Sequence, residues 1–228
     1  RWPGAADRTH MLLPEQVDRA DWIVVGHSHF DHLYGAERIA RRTGARILGS
    51  HETVRVMEAQ DIPVERMIPV AGGERVRLSP DVTVDVYPSQ HSCVWSQTAM
   101  AAADEVCIGE LGLTLQEQQE RFRALAGHFG TLGPDVIAHL RASAQGPRGD
   151  GGALVYHFQT PQGSLFYQDT SGHWSGILRD LRPDVAILAV PTERLLETVT
   201  EAAETGVGCC VIISTGFAEA SVSGAEQQ

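Results

Sequence analysis

Three imidazoles and a carboxylate, His27, His29, Asp31 and His32, fall within six positions of the stretch DWIVVGHSHFDHL (21–33). They follow directly on an apolar run. In an extended chain, side chains at i, i+2 and i+4 share one side and i+5 takes the other. His27 and His29 can then share one cation, while Asp31 and His32, next along the bend, can turn toward a second. Neutral imidazole and carboxylate suit zinc, and the same donors also suit iron or manganese. The competing account is four polar side chains hydrogen-bonded to one another at a surface helix start. A lone histidine is usually structural, but this density at a strand end favours ligation.

Such a loop needs firm elements around it. DWIVVG (21–26) reads as a short buried strand, followed by a helix from about Leu33 to Arg42 with Ile39 and Ala40 inward, ending at Gly44. ARILGS (45–50) is a second apolar run, and His51 begins a helix through ETVRVMEAQ. RVRL and VTVDVYPS alternate in the manner of half-buried antiparallel strands. The segment 98–150 is helical in LTLQEQQERFRALAGHF and loop-like and flexible in SAQGPRGDGG, a place for a lid or a homo-oligomer contact. ALVYHFQT and SLFYQDTSG flank a Pro/Gly turn and predict a hairpin. DVAILAVP reads as a buried strand. TERLLETVTEAAETG is an amphipathic helix with Leu195, Leu196, Val199, Ala202 and Ala203 on one face, closed by Gly206. No internal repeat is visible. Alternating helices and strands with hairpins mixed in predict an α/β or α+β class with a mixed sheet.

The bulk composition restricts partners more than chemistry. The 228 residues fit one large domain or one with an appendage, and 43% apolar with 21% charged residues is ordinary for a packed globular protein. A net charge of −11 repels nucleic acid and anionic membrane, and no window is long and apolar enough for a membrane helix. The four cysteines, Cys93, Cys107, Cys209 and Cys210, form no CxxC pair, which fits free thiols in a reduced compartment. Cys209 and Cys210 read as small buried thiols in a strand. No basic-then-apolar leader opens the chain, so the expected compartment is the cytoplasm. Arg1 rather than Met opens it, and the expectation is a fragment.

HSHFDH, with a strand before it and a helix after, resembles the HxHxDH signature of the metallo-β-lactamase fold superfamily. The likeness covers roughly residues 15–190. The resemblance implies an αββα sandwich with its site at the strand ends. It also implies a third histidine for the first ion after a later strand, where VYPSQHSCVW supplies His91, and a bridging aspartate after another, where LFYQDTSG supplies Asp169. His27, His29 and His91 would hold one zinc, Asp31 and His32 a second, with Asp169 between. A hydroxide held by the metal would cleave an ester, lactone or phosphodiester bond of a small-molecule substrate. Asp31 would orient it and pass its proton toward the leaving group. SQHSCVW and DTSGHW are most similar to the lactonase and phosphodiesterase-type hydrolases related to ascorbate-6-phosphate lactonase.

The chain also departs from that pattern. A further metal-binding histidine is expected near the carboxyl end, and only His173, a poor positional match, follows Asp169. About twenty residues precede the histidine loop where several strands are usual, which predicts a sheet short of strands. The tail AVPTERLLETVTEAAETGVGCCVIISTGFAEASVSGAEQQ (189–228) resembles part of the CoA-binding domain of NDP-forming acyl-CoA synthetases and succinyl-CoA ligase. It lacks an upstream Gly-rich nucleotide loop, yet offers a helix and a parallel strand to continue the sheet after DVAILAVP. A fusion junction near Val190-Pro191 would explain both departures. The expected organisation is a metallo-β-lactamase-like domain over 1–190 and a helix–strand segment over 191–228.

Other residues carry less. His10, His51, His128, His139 and His157 are isolated, and His157 alternates with apolar neighbours as a strand residue would. Ser214 lacks the GxSxG setting of a serine hydrolase. Cys93 reads as structural. Arg41, Arg42 and Arg46 read as a solvated helix face, with binding of an anionic substrate as the alternative. The leading function is thus a zinc-dependent hydrolase. Behind it stand a fragment that only binds metal, and a CoA-ligase fragment.

Overall fold

The computed structural model describes residues 12–89, 91, 114, 116, 117, 120, 134, 151–169, 176–190 and 192–213. By its internal contacts the chain divides into two compact units, Arg1–Gly72 with Leu115–Leu154, and Gly73–Thr114 with Val155–Gln228.

The first unit holds a parallel sheet in the order β1 (Trp22–Val24), β2 (Arg46–Gly49), β3 (Met67–Pro69), with Ile23 paired to Ile47 and Leu48 to Ile68. Helices α1 (Phe30–Leu33) and α2 (Ala36–Thr43) connect β1 to β2, and α3 (His51–Glu58) connects β2 toward β3. Ser50 starts α3 because its hydroxyl accepts the Thr53 N–H at 3.2 Å, one of the donors a first helical turn leaves unsatisfied. Leu33, Ile47 and Met57 are almost wholly buried in the core, and each side chain of that size contributes roughly 1.5–3 kcal/mol by leaving water.

The single helix expected from about Leu33 to Arg42 is two helices. Gly35 interrupts it at φ +88°, where the ring of Pro14 occupies the space a Cβ would need. The 3-10 turn Pro14–Gln16 therefore seats directly on α2. Arg38 then pairs with Glu15, and Arg42 with Asp18, fastening that turn from both sides. Gly44 ends α2 as expected, at φ +76°, with its N–H on the Ala40 carbonyl at 3.0 Å.

The second unit holds a six-stranded sheet in the order β4 (Arg75–Ser79), β5 (Val82–Pro88), β6 (Leu154–Thr160), β7 (Gly163–Gln168), β8 (Val185–Ala189), β9 (Cys209–Ile213). The pairs β4–β5 and β6–β7 are antiparallel, and β7–β8 and β8–β9 are parallel. The sheet is mixed, as expected. Helices α4 (Ile177–Leu181) and α5 (Thr192–Thr205) accompany the parallel strands. Val155, Phe166, Ala186 and Leu188 from the sheet join Ile177, Leu178 and Ala202 from these helices in one core. The helix and parallel strand foreseen after DVAILAVP are thus α5 and β9.

Two expectations here need correction. In α5, Leu196 is 78% exposed and Val199 and Ala203 also face solvent, while Thr198, Glu201 and Ala202 are buried. The helix is turned because Glu201 has a task inside. Its carboxylate accepts the N–H groups of Gly176, Leu178 and Arg179 at 3.1–3.3 Å, the unsatisfied donors at the start of α4. The cysteine pair is not uniformly buried either: Cys210 packs against the core, and Cys209 is exposed. Strand periodicity forces the split, because only one face of β9 meets that core.

Of the 98–150 segment, Gln116, Glu117 and Glu120 are helical, with Gln116 donating to Glu120 at 2.9 Å, and the rest lies outside the described residues except at 114 and 134. Among the described residues no helix is long and apolar enough to cross a membrane. Replacing Glu201 by Ala should lower the thermal midpoint by about 3–6 °C, a loss of ~1–2 kcal/mol, because several N–H groups lose their acceptor. Glu201→Gln should recover part of it. Equal midpoints for wild type and Glu201→Ala would show the cap to be idle.

Candidate metal centre

Strand β1 ends at Val24, the chain bends at Gly26, and α1 begins at Phe30. His29 is the residue before the helix, at φ −68° and ψ 151°, and its carbonyl accepts the N–H groups of His32 at 3.0 Å and Leu33 at 3.1 Å. His29 thus belongs to the extended loop and His32 to the first helical turn. The bend brings both rings to His27. The His27 and His29 ring centroids lie 4.9 Å apart at 79°, and those of His27 and His32 lie 4.0 Å apart at 48°. His27 is fully buried, His29 half-buried and His32 exposed. The spacing alone grouped His27 with His29; the structure sets His27 between His29 and His32. The backbone of Asp31 lies in that same turn, and the expected role of its carboxylate falls outside the described side chains.

The loop is held from outside as well. Val25 N–H donates to the Leu48 carbonyl at 2.9 Å, extending the contact with β2. Leu154 N–H donates to the Gly26 carbonyl at 2.7 Å, and Ser28 N–H donates to the Gly151 carbonyl at 3.0 Å. The sequence places Gly151 and Gly152 at the end of a flexible stretch and begins a strand at Ala153. A double glycine directly before an apolar strand was the signal there for a fixed contact.

In the second unit, His91 lies three residues past the end of β5 and is half-buried, and Asp169 directly follows β7 and is buried. Both stand at strand ends, as the sequence suggested. Tyr156 and Tyr167 face one another across the β6–β7 pair, Tyr167 two residues before Asp169. Burial first, and then the negative charge of Asp169, push both phenols well above their ordinary range. These two hydroxyls therefore stay protonated, a feature the sequence reading did not single out.

The model of the beta-lactamase superfamily domain matches residues 2–144 of the chain. The chain belongs to the beta-lactamase superfamily. Its mixed α/β architecture is that of the metallo-β-lactamase fold, as HSHFDH suggested. Among curated relatives, a UPF0173 metal-dependent hydrolase of Pyrobaculum arsenaticum is 36% identical over 81 residues, covering 35% of this chain and 36% of that one. Another, of Archaeoglobus fulgidus, is 39% identical over 81 residues, covering 36% of this chain and 33% of that one. The chain spans about a third of the length of the curated relatives it matches. Among solved structures, a novel metallo hydrolase of Ignicoccus hospitalis is 15% identical with a TM-score of 0.49, covering 86% of this chain and 64% of that one. Zn(2+)-bound PqqB of Methylobacterium extorquens is 9% identical with a TM-score of 0.40, covering 82% and 50%.

Other candidates in this superfamily member resolve as structure. Arg41 donates to the Gln60 carbonyl and Arg42 to Glu15 and Asp18, so neither is held ready for an anion. Arg46 stacks over Trp22 at 4.5 Å. His51 is exposed at the start of α3. His10, Cys93, Cys107, His128, His139, His173 and Ser214 lie outside the described residues.

His157 is a buried strand residue, with the Gln159 amide 3.2 Å from its Nδ1. Burial holds its ring below the ordinary histidine range, opposed by the charges of Asp85 and Asp184. Folding therefore favours the neutral ring. Above about pH 6.5 both states are neutral and nothing is lost; below it the unfolded chain takes up a proton that the folded one resists. Stability should consequently fall as pH drops below about 6.5, and His157→Gln should flatten that slope when unfolding is followed with chelator present. Asp85, held below the usual carboxylate range first by its hydrogen bond from Arg75, contributes only in a more acidic window. A slope unchanged by the substitution would exclude His157 as its source.

Proposed function

We propose that this protein is a metal-dependent hydrolase that cleaves an ester, lactone or phosphodiester bond of a small molecule. The gathering of three imidazoles around the end of β1, with His27 fully buried at 4.9 and 4.0 Å from its neighbours, carries the reading. The donor set fits a borderline cation such as zinc. These rings have lone pairs in a fixed, partly dry place, where crowding polar groups is otherwise costly. Family membership and the metal-dependent hydrolases among the curated relatives agree with it.

In this reading His27, His29 and His91 hold one ion, Asp31 and His32 a second, and Asp169 lies between them. A bound cation of this kind supplies Lewis acidity and makes water a competent nucleophile near neutral pH. The chain's own side chains do the rest. Asp31 orients the attacking water and receives its proton, then delivers it to the leaving oxygen as the bond from carbonyl carbon or phosphorus breaks. The lactonase-like branch suggested by SQHSCVW and DTSGHW makes lactones and phosphate esters the first substrates to try.

Elemental analysis with a panel of esters, lactones and phosphodiesters tests this. Two metal equivalents per chain and turnover abolished by chelator are expected. One equivalent or none, without turnover, would identify a metal-binding module instead. His29→Ala should weaken metal binding at least ~10-fold and lower kcat/KM by ~100-fold or more, while costing the metal-free fold under ~1 kcal/mol, since its ring is half-exposed. Unchanged metal content in that variant would refute the ligand assignment.

A further inference from the structure

The backbone on either side of His27 is bonded to one segment far away in the chain. Gly26 accepts from Leu154 N–H at 2.7 Å, and Ser28 donates to the Gly151 carbonyl at 3.0 Å. Two residues, Gly152 and Ala153, thus stand opposite the single residue His27. That is the count of a β-bulge, a device that re-aims a side chain by bending the strand facing it. Ser28 contributes through its backbone alone: its hydroxyl is buried with no hydrogen-bond partner among the described residues.

Neither glycine can be replaced freely. Gly151 has φ +69° and Gly152 φ +70°, conformations that side-chain-bearing residues rarely adopt. A Cβ on Gly151 would lie 2.9 Å from Ser28 N, 3.2 Å from Ser28 Oγ and 3.3 Å from the ring of His29. A Cβ on Gly152 would lie 2.6 Å from Ser50 Oγ and from a carboxylate oxygen of Glu52. Behind both stands Ser50, whose hydroxyl donates to the Gly151 carbonyl at 3.2 Å while accepting the Thr53 N–H.

We propose that Gly151 and Ser50 are positioning residues, which set the directions in which His27 and His29 present their imidazoles. The inference rests on the metal-centre reading, but its core is the aim of two rings and can be measured without metal. Gly44 supplies a control within the same unit, because it too has positive φ, +76°, with nothing within 4 Å of its would-be Cβ. Alanine there brings similar backbone strain and no contact with the loop.

Zinc titration should show Gly151→Ala binding about 10–100-fold more weakly than wild type and Gly44→Ala within about threefold of it. In the metal-free protein, the Ser28 amide and the His27 and His29 ring signals should shift in NMR spectra of Gly151→Ala and stay in place in Gly44→Ala. Equal zinc affinities for the two variants, or unmoved ring signals, would overturn the proposal. If wild type itself binds no zinc, the hydrolase reading falls, and the metal-free ring signals alone decide this one. Should Gly151→Ala not fold, Ser50→Ala must move the same signals and Ser50→Thr, which keeps the hydroxyl, must restore them. Ring signals indifferent to loss of that hydroxyl would equally overturn it.

Discussion

Crowding three imidazoles around one strand end is the arrangement on which the rest of the first unit depends. A fully buried His27 ring, 4.0 and 4.9 Å from two others, has left water for a place with few apolar rewards. Local preference does not produce this. The ring is fixed because the chain around it is bonded to β2 through Val25 and Leu48 and to the 151–154 segment through Gly26 and Ser28. Helix α1 adds the third ring by starting where it does, with His29 as its last extended residue.

The same economy of polar groups recurs elsewhere. Helix α4 is five residues long and begins in a buried place, so its first donors need an acceptor from outside. Glu201 supplies it, and that need overrides the apolar stripe that would otherwise have oriented α5. In α2 the arginines that could have faced a substrate are used to hold the Pro14–Gln16 turn and the end of α3 in place. Charged side chains close to a site are informative only once their partners are known.

For the proposed hydrolase this division of labour matters. The proposed ligand residues follow strand ends, His27 after β1, His91 after β5 and Asp169 after β7, where a rigid element stops. Strand ends give donors a fixed origin, while loops supply substrate discrimination.

Much of this was legible in the residues alone. HSHFDH after an apolar run announced the family, two-residue alternation announced β4 and β5, and the Pro/Gly turn announced the β6–β7 hairpin. Such signals are short-range: a period of two, a period near four, or ligand types a few positions apart follow from local backbone geometry. The break at Gly35, the inward turn of Glu201 and the glycine pair against the histidine loop were decided only on folding. Each answers a contact across a long stretch of chain, Pro14 on Gly35, α4 on Glu201, and Gly151 on Ser50 from 101 positions away. Local patterns contain the reach of a few residues, and a carbonyl that must be met by a distant donor leaves no trace within that reach.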